Sequence, residues 1–147
     1  MSQVIKLGIA KNNNQKIEEV EKVKLLSGKG IVDDYHFNEN NDVKKQITLI
    51  ESENIDYYND KFKTNYSYLE FRRNVVTKGI RLNDLVGKKL LIGDIEVKGH
   101  DLCRPCKHLE ETLKGKDIIK EFIRKGGLRC EILISGTIKL GDEIKTI

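Results

Sequence analysis

Cysteine, histidine and long hydrophobic runs are scarce in this 147-residue chain, which also has one proline and no tryptophan. No apolar run approaches the roughly 20 residues that a membrane-spanning helix needs, which argues against a membrane protein. Three cysteines are an odd number at low density, a pattern that favours a reducing cytoplasm over a secreted disulfide scaffold. The segment MSQVIKLGIAKNNNQ has no cleavage-site pattern, so we expect no signal peptide. The motifs G-x-G-x-x-G and G-x-x-x-x-G-K and a β-α-β alternation are also missing, which disfavours nucleotide-binding folds.

The chain instead balances 38% hydrophobic with 34% charged residues, which is typical of a soluble globular protein. We expect one domain over residues 1–147. The net charge is +4, and the segment 71–107 carries nine Lys or Arg against four Asp or Glu. Such a locally basic surface favours an anionic partner, for example a phosphate-bearing cofactor or nucleic acid. A solvated lysine-rich face would have the same composition.

Short apolar runs bounded by turn residues predict a mainly β fold of mostly antiparallel strands, with a few helices on one side. Residues 16–26 fit either a helix or a strand, because both periodicities are present. We expect helices over 52–61, capped by Ser52, over 106–114, and over 117–127, the last stopped by a glycine pair. The predicted strands are 3–9, 46–51, 73–77, a hairpin at 88–100, 128–135, and a final strand pair that follows Gly136.

The stretch GHDLCRPCKHLE at 99–110 holds two of the three cysteines, two of the three histidines and the only proline. Its Cys-x-x-Cys pattern has three interpretations. A structural zinc site needs four ligands, and beyond the pair only Cys130 and scattered histidines remain. A thioredoxin-type redox pair needs a β-α-β setting, which the sequence does not predict. The third interpretation is one working thiol, Cys106, with Cys103 as an accessory or a bystander.

Cys106 has the better physical setting of the two cysteines. Pro105 suits the first turn of a helix, where its missing N–H is not needed. Cys106 then falls in that first turn, where free backbone N–H groups and the flanking Arg104 and Lys107 stabilise a thiolate. A thiolate is the form that ligates soft metals or carries sulfur. Two ordinary buried cysteines remain the plain alternative.

Three further groups are candidates for a site or for the core. The loop containing Asp34 and His36 could bind a metal or orient a ligand, although Asp-rich loops are common turn formers. If 73–77 begins a strand, Arg72 and Asn74 share one face and could hold a phosphate or a pterin edge, while the intervening arginine points away. A solvated basic edge strand is the alternative. Cys130 lies in an apolar strand pattern and is expected in the core.

Taken in order, several segments resemble the MOSC domain, named for the C-terminal domain of molybdenum-cofactor sulfurase. The resemblance covers roughly residues 20–147, and no single segment is diagnostic by itself. The matching segments are GIVDDYH (30–36), KQITLI (45–50), FRRNVVTKGI (71–80), LVGKKLLIG (85–93), LCRPCKHLE (102–110) and GGLRCEILISGTIKLGDEI (126–144).

This resemblance implies a β-barrel with peripheral helices and one signature cysteine, which matches Cys106. In relatives that act with molybdenum cofactor, including amidoxime-reducing enzymes, that cysteine is thought to ligate molybdenum or handle sulfur. Carried over, Cys106 would be the metal ligand or the sulfur-bearing thiolate. Pocket positions of the family match Asp34, His36, Arg72, Asn74 and Arg129. We assign anion contacts to the two arginines and hydrogen bonding to the other three residues.

The resemblance also implies the partners and leaves two functions open. The first is a molybdenum-cofactor-linked protein, working with a molybdoenzyme or with a cysteine desulfurase, a pyridoxal-phosphate enzyme. It could be a sulfur transferase or a component of a molybdenum-dependent reductase. The second is a non-catalytic binding module for a polyanion or a partner enzyme; nucleic acid is disfavoured because no RNA-binding signature is present. One departure is Asp33, where the family loop usually has glycine before the aspartate.

Overall fold

A computed structural model describes residues 2–12, 16–105 and 107–147 and gives a mainly β architecture, as predicted. The helices are α1 (Ser52–Phe62), α2 (Lys107–Leu113) and α3 (Ile118–Phe122), with 3₁₀ turns at Tyr68–Phe71 and Leu82–Leu85. The strands are β1 (Gln3–Ile9), β2 (Glu18–Val20), β3 (Lys22–Leu26), β4 (Gly30–Ile31), β5 (Ile47–Glu51), β6 (Val75–Lys78), β7 (Lys89–Ile92), β8 (Ile95–Leu102), β9 (Leu128–Ile132), β10 (Gly136–Lys139) and β11 (Ile144–Thr146).

The strands form an eight-stranded half-barrel and a small three-stranded sheet. The large sheet has the order β11-β7-β8-β9-β5-β6-β1-β2, and the small sheet has the order β10-β3-β4. Among the described strands, all pairs are antiparallel except β5 with β6. These two strands are connected by α1 and form a β-α-β unit that the sequence pattern did not predict. The Val4 amide donates to the Asp142 carbonyl (2.9 Å), which links β1 to the turn before β11.

The large sheet separates two hydrophobic cores. Leu49 of β5 and Val75 of β6 belong to the larger core, which includes β3, β7, β8, β9 and β11. Their chain neighbours Ile50 and Val76 belong to the second core, which lies against α1, α2 and α3. Successive side chains of a strand point to opposite faces, so strands covered on both sides bury nearly every residue. The segment 46–51 is therefore rich in hydrophobic residues because β5 is covered by a core on each face.

Residues 16–26, which fitted either a helix or a strand, form the strands β2 and β3. The prediction that Ser52 caps α1 is wrong. Strand pairing continues to Glu51, which lies opposite Thr77 of β6, so Glu51 is the extended residue before the helix and Ser52 is the first helical residue. The last two strands do not pair with each other. Instead β10 pairs with β3, and β11 pairs with β7.

The glycine pair at 126–127 does not end α3, which already ends at Phe122. The two glycines instead allow close backbone contacts. A Cβ atom at Gly126 would lie 2.8 Å from the Cys103 carbonyl oxygen, and one at Gly127 would overlap the carbonyl oxygen of Leu49. Gly127 also has φ = +113°, a backbone conformation that residues other than glycine rarely adopt. The pair thus packs the segment before β9 against β5 and the end of β8.

Candidate functional site

A cleft of about 450 Å³ opens at one end of the large sheet, and all five predicted pocket residues line it. Its volume lies in the usual range for small-molecule sites. The sequence segments that meet there are far apart in the chain: the loop after β4, the start of β5, the segment before β6, the segment after β8, and β9. The lining includes Asp34, His36, Arg72, Asn74 and Arg129, together with Lys44, Lys45, Arg73, Cys103 and Arg104.

A row of polar residues crosses four neighbouring strands beneath the cleft. Asp101 of β8 lies opposite Arg129 of β9, and Arg129 lies opposite Thr48 of β5. Asn74 immediately precedes β6, and its Oδ1 accepts hydrogen bonds from the Thr48 amide and hydroxyl, both at 3.1 Å. Strand register therefore decides which residues reach the site, because a slip by one residue would turn each side chain to the other face.

Asn74 is buried, and its side chain binds the protein's own backbone. Its Nδ2 donates to the carbonyl of Gly8 in β1 (3.2 Å), while its Oδ1 accepts from Thr48 in β5. The amide thus ties three strands together at the wall of the cleft. This geometry adds a structural role to the predicted role in ligand hydrogen bonding, which stays a prediction.

The predicted strand face at residues 72–74 is wrong. The residue Arg72 has φ = +62° and ends a 3₁₀ turn, and β6 begins only at Val75. Because this segment is not extended, its side chains do not alternate, and Arg72, Arg73 and Asn74 all line the cleft. The Arg73 Nε donates to the Gly126 carbonyl (2.8 Å), which fixes its guanidinium beside Cys103.

Asp34 is a buried carboxylate at the edge of the cleft. Its Oδ1 accepts from the Ala10 amide (2.9 Å), and its Oδ2 lies 3.2 Å from the His36 amide and 3.3 Å from His36 Nδ1. Burial raises the pKa of Asp34, but the hydrogen bonds from the His36 ring and the two amides outweigh this effect and lower it overall. The unusual Asp33 before it has φ = +73°, a conformation that glycine adopts freely and that aspartate tolerates better than most residues.

The cleft is strongly basic. Six cationic side chains of the residues that the structure describes line it, against one buried carboxylate, that of Asp34; the six are Lys44, Lys45, Arg72, Arg73, Arg104 and Arg129. Asp101 lies just behind this group, with its Oδ1 3.2 Å from Arg129 Nε and its Oδ2 3.6 Å from Lys44 Nζ. The Arg129–Asp101 contact is an ion pair without hydrogen-bond alignment, because neither of the two buried atoms has a hydrogen-bond partner among the described residues. This arrangement suits an anionic ligand.

Two of the three cysteines are described, and both thiols are buried. Burial raises the pKa of Cys103, although Arg73 and Arg129 act in the opposite direction. Burial also raises the pKa of Cys130, which lies in the larger core as predicted. Cys106, the predicted working thiol, lies outside the described residues, as does the side chain of His108. Arg104 and Leu109, on either side of Cys106 in the chain, both line the cleft.

Lys44, Lys45 and Arg104 were not predicted as ligand contacts, and Arg73 was predicted to point away from the site. Lys44 and Lys45 lie just before β5, separated from it by Gln46. The available signal was that Lys45 begins the matching segment KQITLI. Arg104 was noted only as a neighbour of Cys106. His100, one of the two histidines in the stretch 99–110, lies on β8 with its Nε2 2.8 Å from Glu131 Oε1 and is not part of the cleft lining.

The fold and the site together define a β half-barrel protein with a basic cleft at one end of the central strands of its large sheet. The sequence matches the family model of the MOSC domain over residues 32–145. The chain therefore belongs to the MOSC domain family. No curated protein matches the sequence with significant similarity.

Solved structures of similar fold include two bacterial proteins named YuaD and YiiM. The YuaD protein from Bacillus subtilis has a TM-score of 0.79 and 19% identity, over 98% of this chain and 94% of that one. YiiM from Geobacillus stearothermophilus has a TM-score of 0.81 and 18% identity, over 100% of this chain and 75% of that one. YiiM from Escherichia coli has a TM-score of 0.69 and 15% identity, over 100% and 70%. At these identities the likeness is one of fold.

In the part of the chain that the structure describes, no helix combines the length and hydropathy needed to cross a membrane.

Proposed function

We propose that this MOSC protein binds molybdenum cofactor in the basic cleft and uses Cys106 as molybdenum ligand or as sulfur carrier. The observation that carries the proposal is the convergence of Asp34, His36, Arg72, Asn74 and Arg129 on one cleft. These residues were assigned from motifs up to 95 positions apart in the sequence, and unrelated surface residues have no reason to meet in this way.

The donor set fits a phosphate-bearing pterin. Arginine guanidinium groups recognise phosphate through paired N–H donors. Three such guanidinium groups line the cleft, those of Arg72, Arg73 and Arg129. The Nε of Arg129 lies 3.2 Å from Asp101 Oδ1, and this ion pair holds the guanidinium at the cleft. Such a cofactor, when bound, supplies redox chemistry at its molybdenum.

The cysteine chemistry supports the same assignment. Cys103 and Cys130 are buried with raised pKa values, so neither is a ready nucleophile or thiolate ligand at neutral pH. Cys106 precedes α2 between two stretches that line the cleft, with Arg104 close in sequence. A thiolate is the soft ligand that a metal site or a sulfur carrier requires.

The test is to purify the protein from cells that make the cofactor and to measure molybdenum by mass spectrometry and pterin by fluorescence. We expect stoichiometric cofactor, or a persulfide on Cys106 detected by intact mass. Cys106→Ser should remove the persulfide and most of the molybdenum, whereas Cys103→Ser should retain them. Arg129→Ala should lower the pterin content, and Arg81→Ala, which removes an exposed arginine outside the cleft, should not.

Absence of both the cofactor and the persulfide would overturn the proposal. The alternative, a polyanion-binding module, would then predict an affinity for polyanions that falls steeply with salt. That affinity would survive Cys106→Ser, because it depends on the six cations and not on a thiolate.

A further inference from the structure

His36 and Asp34 form a histidine–carboxylate pair at the cleft whose two members differ sharply in exposure. The side chain of Asp34 is 4% exposed, whereas that of His36 is 43% exposed and lines the cleft. His36 Nδ1 lies 3.3 Å from Asp34 Oδ2, and the His36 ring stacks on Tyr35 with 3.9 Å between ring centroids. One nitrogen of the imidazole is thus turned to a buried carboxylate, while much of the ring remains accessible.

The pair is held in place by its surroundings. Asp34 accepts hydrogen bonds from the amides of Ala10 and His36, which fix its carboxylate. Asn41 Nδ2 donates to the His36 carbonyl (2.7 Å) and also reaches the carbonyls of Lys29 and Lys45, which ties the loop to its own ends. A ring held this way can offer the same nitrogen to successive ligands.

The protonation state of Asp34 decides the tautomer of His36. The hydrogen bonds that overcome the effect of burial lower the pKa of Asp34, so its carboxylate is ionised at neutral pH. An ionised carboxylate can only accept hydrogen bonds, so His36 Nδ1 must carry a proton. The second nitrogen, Nε2, is then the one that gains and loses the exchangeable proton, as in other carboxylate-oriented histidines.

We propose that His36 is the proton-transfer residue of this cleft and that Asp34 is its positioning residue. The proposal rests on the proposed function only in taking the cleft as the ligand site. Imidazolium Nε2–H donates its proton to a basic oxygen or nitrogen of the bound ligand. The neutral ring retains Nδ1–H on Asp34, and solvent returns the proton to Nε2 after the ligand leaves. No electron moves in this step.

The charged groups that line the cleft together with His36 are mostly cationic in the described part of the chain. Lys44 and Lys45 lie in the loop before β5, Arg72 and Arg73 before β6, Arg104 after β8, and Arg129 on β9. Lysine and arginine are residue types that stay cationic between about pH 5 and pH 8, whereas histidine is the residue type that changes charge in that range. An anion bound among them should therefore report the charge of His36 through its affinity.

The first test is nitrogen NMR of the His36 ring in cofactor-free protein. We expect the neutral ring to be the Nδ1–H tautomer, and Asp34→Asn to change the tautomer population. A predominantly Nε2–H ring in the wild-type protein would overturn the proposal. This measurement needs no variant, so it decides the tautomer even if Asp34→Asn does not fold.

The second test measures the affinity for inorganic sulfate, whose charge does not change in this pH range, by chemical-shift titration. A charge-assisted hydrogen bond from imidazolium should make the affinity roughly tenfold greater near pH 5 than near pH 8. His36→Gln should abolish this dependence, and His100→Gln, outside the cleft lining, should preserve it. An unchanged pH dependence in His36→Gln would refute proton transfer by His36. Cofactor content plays no part in either test, so the two proposals can fail separately.

Discussion

Replacing Asn74 by alanine should destabilise the fold whether or not a ligand binds. The side chain is buried and satisfies the Thr48 amide and the Gly8 carbonyl, which belong to different strands. Truncation leaves both backbone groups without this partner. Each unsatisfied group costs about 1–3 kcal/mol when it is fully buried. The Thr48 amide is only partly buried, so we expect the two groups together to lower the free energy of unfolding by about 2–4 kcal/mol. For a chain of this length that corresponds to a drop of roughly 6–13 °C in Tm.

Urea denaturation of the cofactor-free protein measures this loss directly. Asn40→Ala is the matched control, because Asn40 is exposed and surface substitutions usually change stability by less than about 0.5 kcal/mol. Thr48→Val removes the hydroxyl that also contacts Asn74. The double variant should lose less than the sum of the single losses, because the two residues share the contact.

A loss below about 0.5 kcal/mol in Asn74→Ala would refute this reasoning, because it would mean that the hydrogen bonds across the three strands contribute little. Asn74 would then have to be explained by ligand contact alone. Wild-type-like stability of Asn74→Ala together with reduced pterin binding would show that Asn74 serves ligand contact and not the stability of the fold.

Three other predictions follow from the same geometry. Iodoacetamide should alkylate one thiol in the native protein at neutral pH and three after unfolding, because Cys103 and Cys130 are buried with raised pKa values. Labelling of the native protein that persists in Cys106→Ser would contradict this prediction. Gly127→Ala should cost about 3 kcal/mol or more in urea denaturation, since its φ is +113° and a Cβ would overlap a backbone carbonyl. The wild type should lose stability relative to Asp34→Asn as pH falls below about 4. The pKa of Asp34 is lower in the folded than in the unfolded protein, so its ionised carboxylate stabilises the fold fully above the unfolded-state pKa, and this contribution disappears as the carboxyl is protonated.

The local sequence pattern was sufficient to predict the position of most strands but not which strands pair with each other. The apolar runs of β1, β5 and β9 and the hairpin of β7 and β8 were predicted because burial and turn residues act over a few positions. The pairing of β10 with β3 and of β11 with β7 joins residues about 50 to 115 positions apart, and no local feature records it. For the same reason the helix over 117–127 was predicted too long, since the glycines serve contacts to distant backbone carbonyls.

For the site, the sequence by itself indicated the family and named five residues that line the cleft, because short motifs carry residue identity; they are Asp34, His36, Arg72, Asn74 and Arg129. Tertiary structure alone decided how those residues are used. Strand register aligned Arg129 with Thr48, and the left-handed backbone at Arg72 brought its neighbour Arg73 into the cleft. It also turned the Asn74 amide to the sheet and joined His36 to a buried carboxylate. Such contacts depend on backbone conformation and long-range packing, which a linear motif does not encode.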